Sequence, residues 1–280
     1  MSEIIGERAA PEDLRFGFGD NWRHFLYRVD ERRLAEAEQS LKALIGLDNM
    51  QGLSFLDIGS GSGIFSLAAR RLGASVRSFD YDPAAVECAT ILRRRYFPDD
   101  KQWMVTRGSI LDSGFVGSLG TFDVVYSWGV LHHTGAMHEA IAQAASRAKP
   151  NGLFAFALYR KTRLCSLWTR EKRWYTGASR SSQRGARALY TVFLRLAFLL
   201  QGKSFRRHLA DYHSMRGMDY ETDLHDWMGG YPYESIRPSQ VRELMARLGF
   251  SYVRSNTKPY STGIFGSGCD EYVYRRGAAT

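Results

Sequence analysis

A doubly wound α/β fold, with seven mostly parallel strands and a largely helical insertion before the last helix and strands, is the architecture this 280-residue sequence predicts. Three observations predict it. Short β-rich runs alternate with amphipathic helical stretches between Ser54 and Leu158. The crossings between runs have the length that parallel pairing requires. Apolar residues make up 44% of the chain and charged residues 24%, the balance of a globular protein with a core to bury.

The elements follow in order. Asp30 to Ile45 puts Leu34, Ala37, Leu41, Leu44 and Ile45 on one helical stripe, with Gly46 as its stop. Then come a strand at SFLD, a helix from Ile64 to Leu72, a strand at SVRSFD, a helix from Pro83 to Tyr96 and a strand at WMVTR. FDVVYS, a helix from Met137 to Ala148 and LFAFAL continue the alternation, with breaks at Gly73, Pro98 and Lys149-Pro150-Asn151-Gly152. Residues 159 to 235 interrupt the rhythm. A helix from Pro238 to Leu248 has Pro in its first turn and Gly249 past its end, and FSYVRS and DEYVYRR read as two final strands. The expected organisation is an N-terminal cap segment over 1–49, a core over 50–158 and 236–280, and an insertion over 159–235.

Bulk properties exclude several classes. No run of about 18 uncharged apolar residues is present to span a bilayer. The acidic opening MSEIIGERAAPED lacks the apolar centre of a secretion signal, so a cytoplasmic location is expected, with the periphery of the inner membrane as its variant. Cys88, Cys165 and Cys269 are far apart and form no CxxC, and the histidines lack a ligand-like spacing, so neither disulfides nor a metal are expected. The net charge of +9 is concentrated: Arg160 to Arg207 holds thirteen Lys or Arg against Glu171 alone, which leaves the rest of the chain at −3.

After the first strand the chain reads LDIGSGSG, residues 56 to 63. A dinucleotide loop G-x-G-x-x-G would need a glycine at Ile64 or at Ser66, and a phosphate loop would need Gly-Lys-Ser/Thr. Spacing and charge therefore both disfavour a phosphate. FLDIGSGSGIFSLAARRLGA instead resembles the first motif of the class I S-adenosylmethionine-dependent methyltransferases, an acid followed by G-x-G-x-G. SFDYDP, RGSILD and FDVVYSWGVLHH resemble that family's later motifs, so the likeness covers about residues 50 to 160. It resembles in particular the small-molecule members of the ubiquinone type.

The resemblance implies S-adenosylmethionine as cofactor, S-adenosylhomocysteine as product, and a Rossmann-like methyltransferase fold. Asp57 would help fix the ammonium end, with Gly59, Ser60, Gly61 and Gly63 passing under the ligand. Asp80 would accept from the ribose hydroxyls, with Tyr81 beside it, and Ser109, Ile110 and Leu111 would flank the adenine. Ser109 stands where many relatives carry an acid, so that contact can pass to Asp112 or to backbone. Phe18, Trp22 and Phe16 of FGFGDNW can fold over the cofactor or simply pack, bringing Arg23 and Tyr27, a further catalytic candidate, to the same cavity. Trp128 and Tyr126 shape the methyl pocket or pack, and His132 or His133 is the candidate general base, imidazole titrating near working pH.

The acceptor is to be sought in the insertion. Leu189, Val192, Phe193, Leu196 and Leu199 or Leu200 form an apolar helical stripe bordered by Arg184, Arg187 and Arg195. Such a stripe over 184–207 can lie on an anionic membrane, hold a lipid tail, dimerise, or pack on the core. DYETDLHDWMGGYPYE combines acids with aromatics around Gly229-Gly230 and reads as a lid, with Tyr220, His225, Asp226, Trp227 and Tyr231 as candidate contacts and His225 as a further catalytic candidate. Acids with aromatics suit hydroxylated or cationic acceptors. The expected function is methyl transfer to an O or N of a small hydroxylated, lipid-linked or glycan-linked metabolite. The alternatives are an RNA methyltransferase tracking phosphates with residues 160–207, and a non-catalytic cofactor-binding partner protein. Nucleic acid is not the expected partner.

Overall fold

The computed structural model describes residues 14–17, 29–216, 220–257 and 268–278, without the side chains of 211–216 and Thr222. Its framework is a seven-stranded sheet in the order β3-β2-β1-β4-β5-β7-β6. The strands are β1 (Ser54–Ile58), β2 (Ser75–Asp80), β3 (Trp103–Arg107), β4 (Phe122–Trp128), β5 (Ala148–Tyr159), β6 (Phe250–Asn256) and β7 (Cys269–Arg276). The first five pair in parallel, and β7 runs antiparallel to both β5 and β6.

The period of two along the strands builds a core on each face. Leu56, Val125, Phe154 and Phe156 face one apolar layer, with Ile141 of α5 (Met137–Ser146) and Met245 of α10 (Pro238–Arg247). Their neighbours Phe55, Val124 and Ala155 face the other, with Leu34 and Leu41 of α1 (Glu31–Ile45), Leu67 of α2 (Ile64–Arg71) and Leu92 of α3 (Pro83–Tyr96). The cap chemistry agrees with the sequence: Asp30 accepts from the Arg33 amide, Asp82 from the Ala84 amide, and Gly46 closes α1 with φ 76°.

Two details differ from expectation. Lys149 to Gly152 does not end a helix before a strand; it lies within β5, where a register shift opposite Phe122–Val124 and a φ of 62° at Asn151 absorb the extra residues as a bulge. A short helix, α4 (Ser113–Ser118), also follows β3, capped by the Asp112 carboxylate accepting from the Phe115 amide.

Beyond β5 the chain leaves the sheet and forms α6 (Cys165–Gly177), α7 (Arg180–Leu200), α8 (Phe205–Arg216) and α9 (Tyr220–Gly229). It returns at Ile236, whose amide donates to the Tyr159 carbonyl while the Lys161 amide donates back to the Ile236 carbonyl. At this exit Arg160 donates two hydrogen bonds, 2.7 and 2.8 Å, to the buried Asp270 of β7. Both ends of the helical segment are thereby tied to one point of the sheet.

Candidate active site

The strand order reverses between β1 and β4, which places a crevice beyond their carboxyl ends. A cavity of about 1350 Å3 occupies it, larger than the roughly 300–1,000 Å3 typical of single-ligand pockets. It has room for a donor and an acceptor side by side.

The glycine loop forms its floor. Gly59, Gly61 and Gly63 all have positive φ (71°, 52° and 82°), a region costly for residues with a Cβ. A Cβ on Gly59 would overlap the Val130 methyls at the end of β4, and one on Gly63 would come within 2.8 Å of Ala89 in α3. The Gly59 and Ser60 amides both donate to the Phe79 carbonyl, pinning the loop to β2. Close approach of Val130 and Ala89 thus leaves room only for glycine at 59 and 63, and Ser60 and Ser62 line the cavity together with Gly59 and Gly61.

Two carboxylates border the loop. Asp57 is buried and accepts from Ser66 Oγ at 2.6 Å; loss of hydration raises its pKa to about 7, with Asp80 repulsion adding to it. Asp80 is also raised by burial, and its two oxygens accept from the Gly61 amide (2.9 Å) and the Asp82 amide (3.0 Å). The backbone thus orients the carboxylate, and each oxygen keeps a lone pair for a ligand. Tyr81, Ser109, Ile110 and Leu111 line the same side. Asp112 is not among the lining residues, being engaged as the α4 cap.

The strand β4 supplies the opposite wall. Tyr126, buried against Phe55 and Phe65, and Trp128 both line the cavity, and the Trp128 indole N–H donates to Glu271 at 2.8 Å. A 3-10 turn, Leu131–His133, then separates the two adjacent histidines. His133 lines the cavity and its Nδ1 lies 2.7 Å from the Pro232 carbonyl oxygen. A carbonyl only accepts, so Nδ1 carries the proton in the neutral ring, and the Gly230 backbone also bonds this ring. Burial pushes this imidazole down to about 4, which keeps it neutral. His132 does not reach the cavity. It is buried between the rings of His133 and Tyr159, and burial holds its pKa well below the ordinary value.

Helix α9 forms the roof, contributing Tyr220, Asp223, Leu224, Asp226 and Trp227, and Tyr231 and Pro232 follow it. His225 faces the other way: its Nδ1 meets the Tyr175 hydroxyl at 2.6 Å and Arg187 at 3.0 Å, inside the helical segment, so the catalytic role expected of it is not supported by its position. Phe16 packs edge-on to His225, its amide donates to the Tyr231 carbonyl, and a Cβ on Gly229 would overlap its ring. Phe18, Trp22, Arg23 and Tyr27 lie outside the described residues.

Sequence reasoning missed several contributors. Arg15 donates to the Thr134 carbonyl and lies 5.3 Å from the centre of the Tyr81 ring, spanning the cavity. Lys172 is buried under the roof, donates to the Trp227 carbonyl and sits 4.3 Å over the Trp227 ring; burial lowers its pKa. Neither had a local signal: each was one cation among many. Tyr159, at the carboxyl end of β5, did have one, since ligands of open sheets gather at such ends.

A sequence profile described as a methyltransferase domain matches residues 25–255. The chain belongs to the methyltransferase-domain family. S-adenosylmethionine is the methyl donor of the class I members, and the positive-φ glycine loop bordering the cavity between the Asp57 and Asp80 carboxylates fits it. Among curated relatives of this methyltransferase, the ubiquinone biosynthesis O-methyltransferase of Brucella ovis is 28% identical over 142 residues, 49% of the chain and 55% of the relative. The mitochondrial ubiquinone biosynthesis O-methyltransferase of Schizosaccharomyces pombe is 33% identical over 118 residues, 42% of each. The chain thus spans about half the length of the curated relatives it matches. Its fold is similar to that of magnesium protoporphyrin IX methyltransferase from Synechocystis PCC 6803, solved with bound SAH: TM-score 0.55, 17% identity, covering 92% of this chain and 94% of that one. PKMT2 from Rickettsia typhi, in complex with AdoHcy, shares the fold at TM-score 0.57 and 15% identity, covering 87% of this chain and 53% of that one.

Proposed function

We propose that this methyltransferase moves a methyl group from S-adenosylmethionine to an oxygen of a small hydroxylated acceptor. One observation carries the reading: a single cavity joins the glycine loop and Asp80 to His133, Asp226 and the aromatic residues of the α9 roof. When bound, S-adenosylmethionine supplies a methyl group on a sulfonium, already a good leaving group. The protein's task is then to hold an acceptor in line with it and to exclude water.

Asp57 would meet the ammonium of the cofactor, and a positive charge beside it would favour the ionised carboxylate. Asp80, preset by two backbone amides, would accept from the ribose hydroxyls. On the acceptor side Trp227, Tyr220 and Tyr231 offer flat apolar contact, and Asp223 and Asp226 offer acceptors for hydroxyl groups. His133, neutral and held by the Pro232 and Gly230 backbone at the cavity wall, would be the group to take the acceptor proton.

The cavity is lined by Asp57, Asp80, Asp82, Asp223, Asp226 and Glu271, an environment that repels a polyanion. This lining favours a neutral or cationic acceptor over RNA. The test is direct. Calorimetry should detect S-adenosylhomocysteine binding to the wild type and a loss of roughly 30-fold or more in Asp80→Ala, the scale of a charged hydrogen-bond partner. Tritiated methyl groups should then pass to catechols or phenols supplied as a panel. Unchanged affinity in Asp80→Ala would remove the ribose assignment, and label passing to amines alone would move the reading from oxygen to nitrogen.

A further inference from the structure

Helix α7 has two faces. Inward, Tyr190 and Leu194 line the cavity, Thr191 bonds the Tyr220 hydroxyl at 3.0 Å, and Arg187 meets His225. Outward, Leu189, Val192, Phe193, Leu196, Leu199 and Leu200 recur at helical spacing and are all exposed, Leu196 at 50%, Leu199 at 74% and Leu200 at 88%. A solvated helix face normally carries polar side chains, and no described residue covers this one. The stripe is the apolar face of an amphipathic helix without its partner.

The surrounding charge identifies the partner. Arg184 and Arg195 border the stripe, and Lys203, Arg206 and Arg207, all exposed, follow its most exposed end. The segment from Arg160 to Arg207 carries an excess of twelve positive charges. Pairing with a second copy would bring two such segments together at a like-charge cost. Nucleic acid would satisfy the cations, but five of the six stripe residues are aliphatic and offer bases no stacking plane. An anionic lipid surface satisfies both parts at once, taking the leucines at the acyl boundary and the cations at the headgroups. No helix among the described residues is long and apolar enough to cross a membrane, so the contact is along the surface. We infer that the outer face of α7, with Lys203, Arg206 and Arg207, docks this protein on an anionic bilayer, bringing a wall of the cavity to the lipid.

Flotation with vesicles of phosphatidylcholine and phosphatidylglycerol in equal parts, and of phosphatidylcholine alone, tests this in the full chain. The wild type should float with the anionic vesicles and be released by salt. Leu196→Asp with Leu200→Asp should bind at least tenfold more weakly, as should the triple change of Lys203, Arg206 and Arg207 to Glu. All five positions face solvent, and S-adenosylhomocysteine binding in each variant confirms an intact fold. Wild type that stays with neither vesicle, or variants that float equally well, would overturn the docking face. So would light scattering that finds a wild-type dimer which Leu196→Asp with Leu200→Asp splits, or RNA binding abolished by the charge changes and untouched by the leucine changes in a protein that ignores vesicles. Docking stands or falls apart from the transfer chemistry: vesicle binding without cofactor binding would sink only the latter, and the reverse only the former.

Discussion

Asp57 holds the sharpest residue-scale conflict, a buried carboxyl with one hydroxyl donor, Ser66. Its folded pKa of about 7 lies above its ordinary 3.8, so the folded state holds the proton more tightly than the unfolded chain. The stability tied to that proton is complete below about pH 4 and is lost as pH rises through 7. Asp57→Asn, neutral at every pH, should therefore melt above the parent at pH 8, by roughly 2–4 °C for each kcal/mol recovered, while losing cofactor affinity. Equal melting of the two at pH 8 would show that the buried charge is not costly. His133, pushed down to about 4, stays neutral from pH 6 to 8, so turnover should show no inflection from it in that window. His133→Ala should lower the rate of label transfer by roughly 10²-fold or more if the ring takes the proton, and an undiminished rate removes that role. That Asp57 and Asp80 border the cavity was legible in the sequence, because both stand at strand ends on the side of the sheet where ligands gather. The choice between His132 and His133 was not legible, because a 3-10 turn decides which ring reaches the cavity. His225 was misplaced for a similar reason: helical phase turns it toward Tyr175 and Arg187 while its neighbours Asp226 and Trp227 face inward.

Among the elements, the glycine loop is the least tolerant. Gly63 combines a φ of 82° with α3 at close range, so Gly63→Val should cost about 1–3 kcal/mol from backbone strain alone. The chemical denaturation midpoint should fall, and cofactor binding should be lost with it. A variant as stable as the parent would mean that the loop can adopt another path. Helices α1, α3 and α10 were readable from stripe, cap and stop, since these signals are local. The bulge in β5 was not. Pro150, Asn151 and Gly152 mimic a turn, and only pairing with β4 on one side, with a register shift there, shows the strand carrying through them. Helix α7 was readable as amphipathic, but periodicity alone left open whether its apolar stripe faces the protein. Tyr190, Thr191 and Leu194 take the inward side, and the leucines are left outside.

Across the whole molecule, one ion pair ties the helical roof to the sheet. Arg160 and Asp270 are both largely buried and doubly hydrogen-bonded, at the point where the chain leaves β5. Asp270→Ala would leave a guanidinium desolvated without its partner, and should destabilise the protein by about 3–5 kcal/mol, read as a lower urea midpoint. A loss below 1 kcal/mol would mean that water reaches Arg160 freely. The residues near position 16 close the other side, where Phe16 meets Tyr231 and Gly229. By itself the sequence determined the alternation of strands and helices, the glycine floor and the acids beside it, because these depend on neighbours within a few positions. Only the tertiary structure decided which histidine and which face of α7 meet the cavity, and that Lys172 is buried against Trp227. Those assignments depend on the rotation of each element against partners up to a hundred or more residues away, as Arg15 and Thr134 show across 119 positions, and no local pattern encodes that angle.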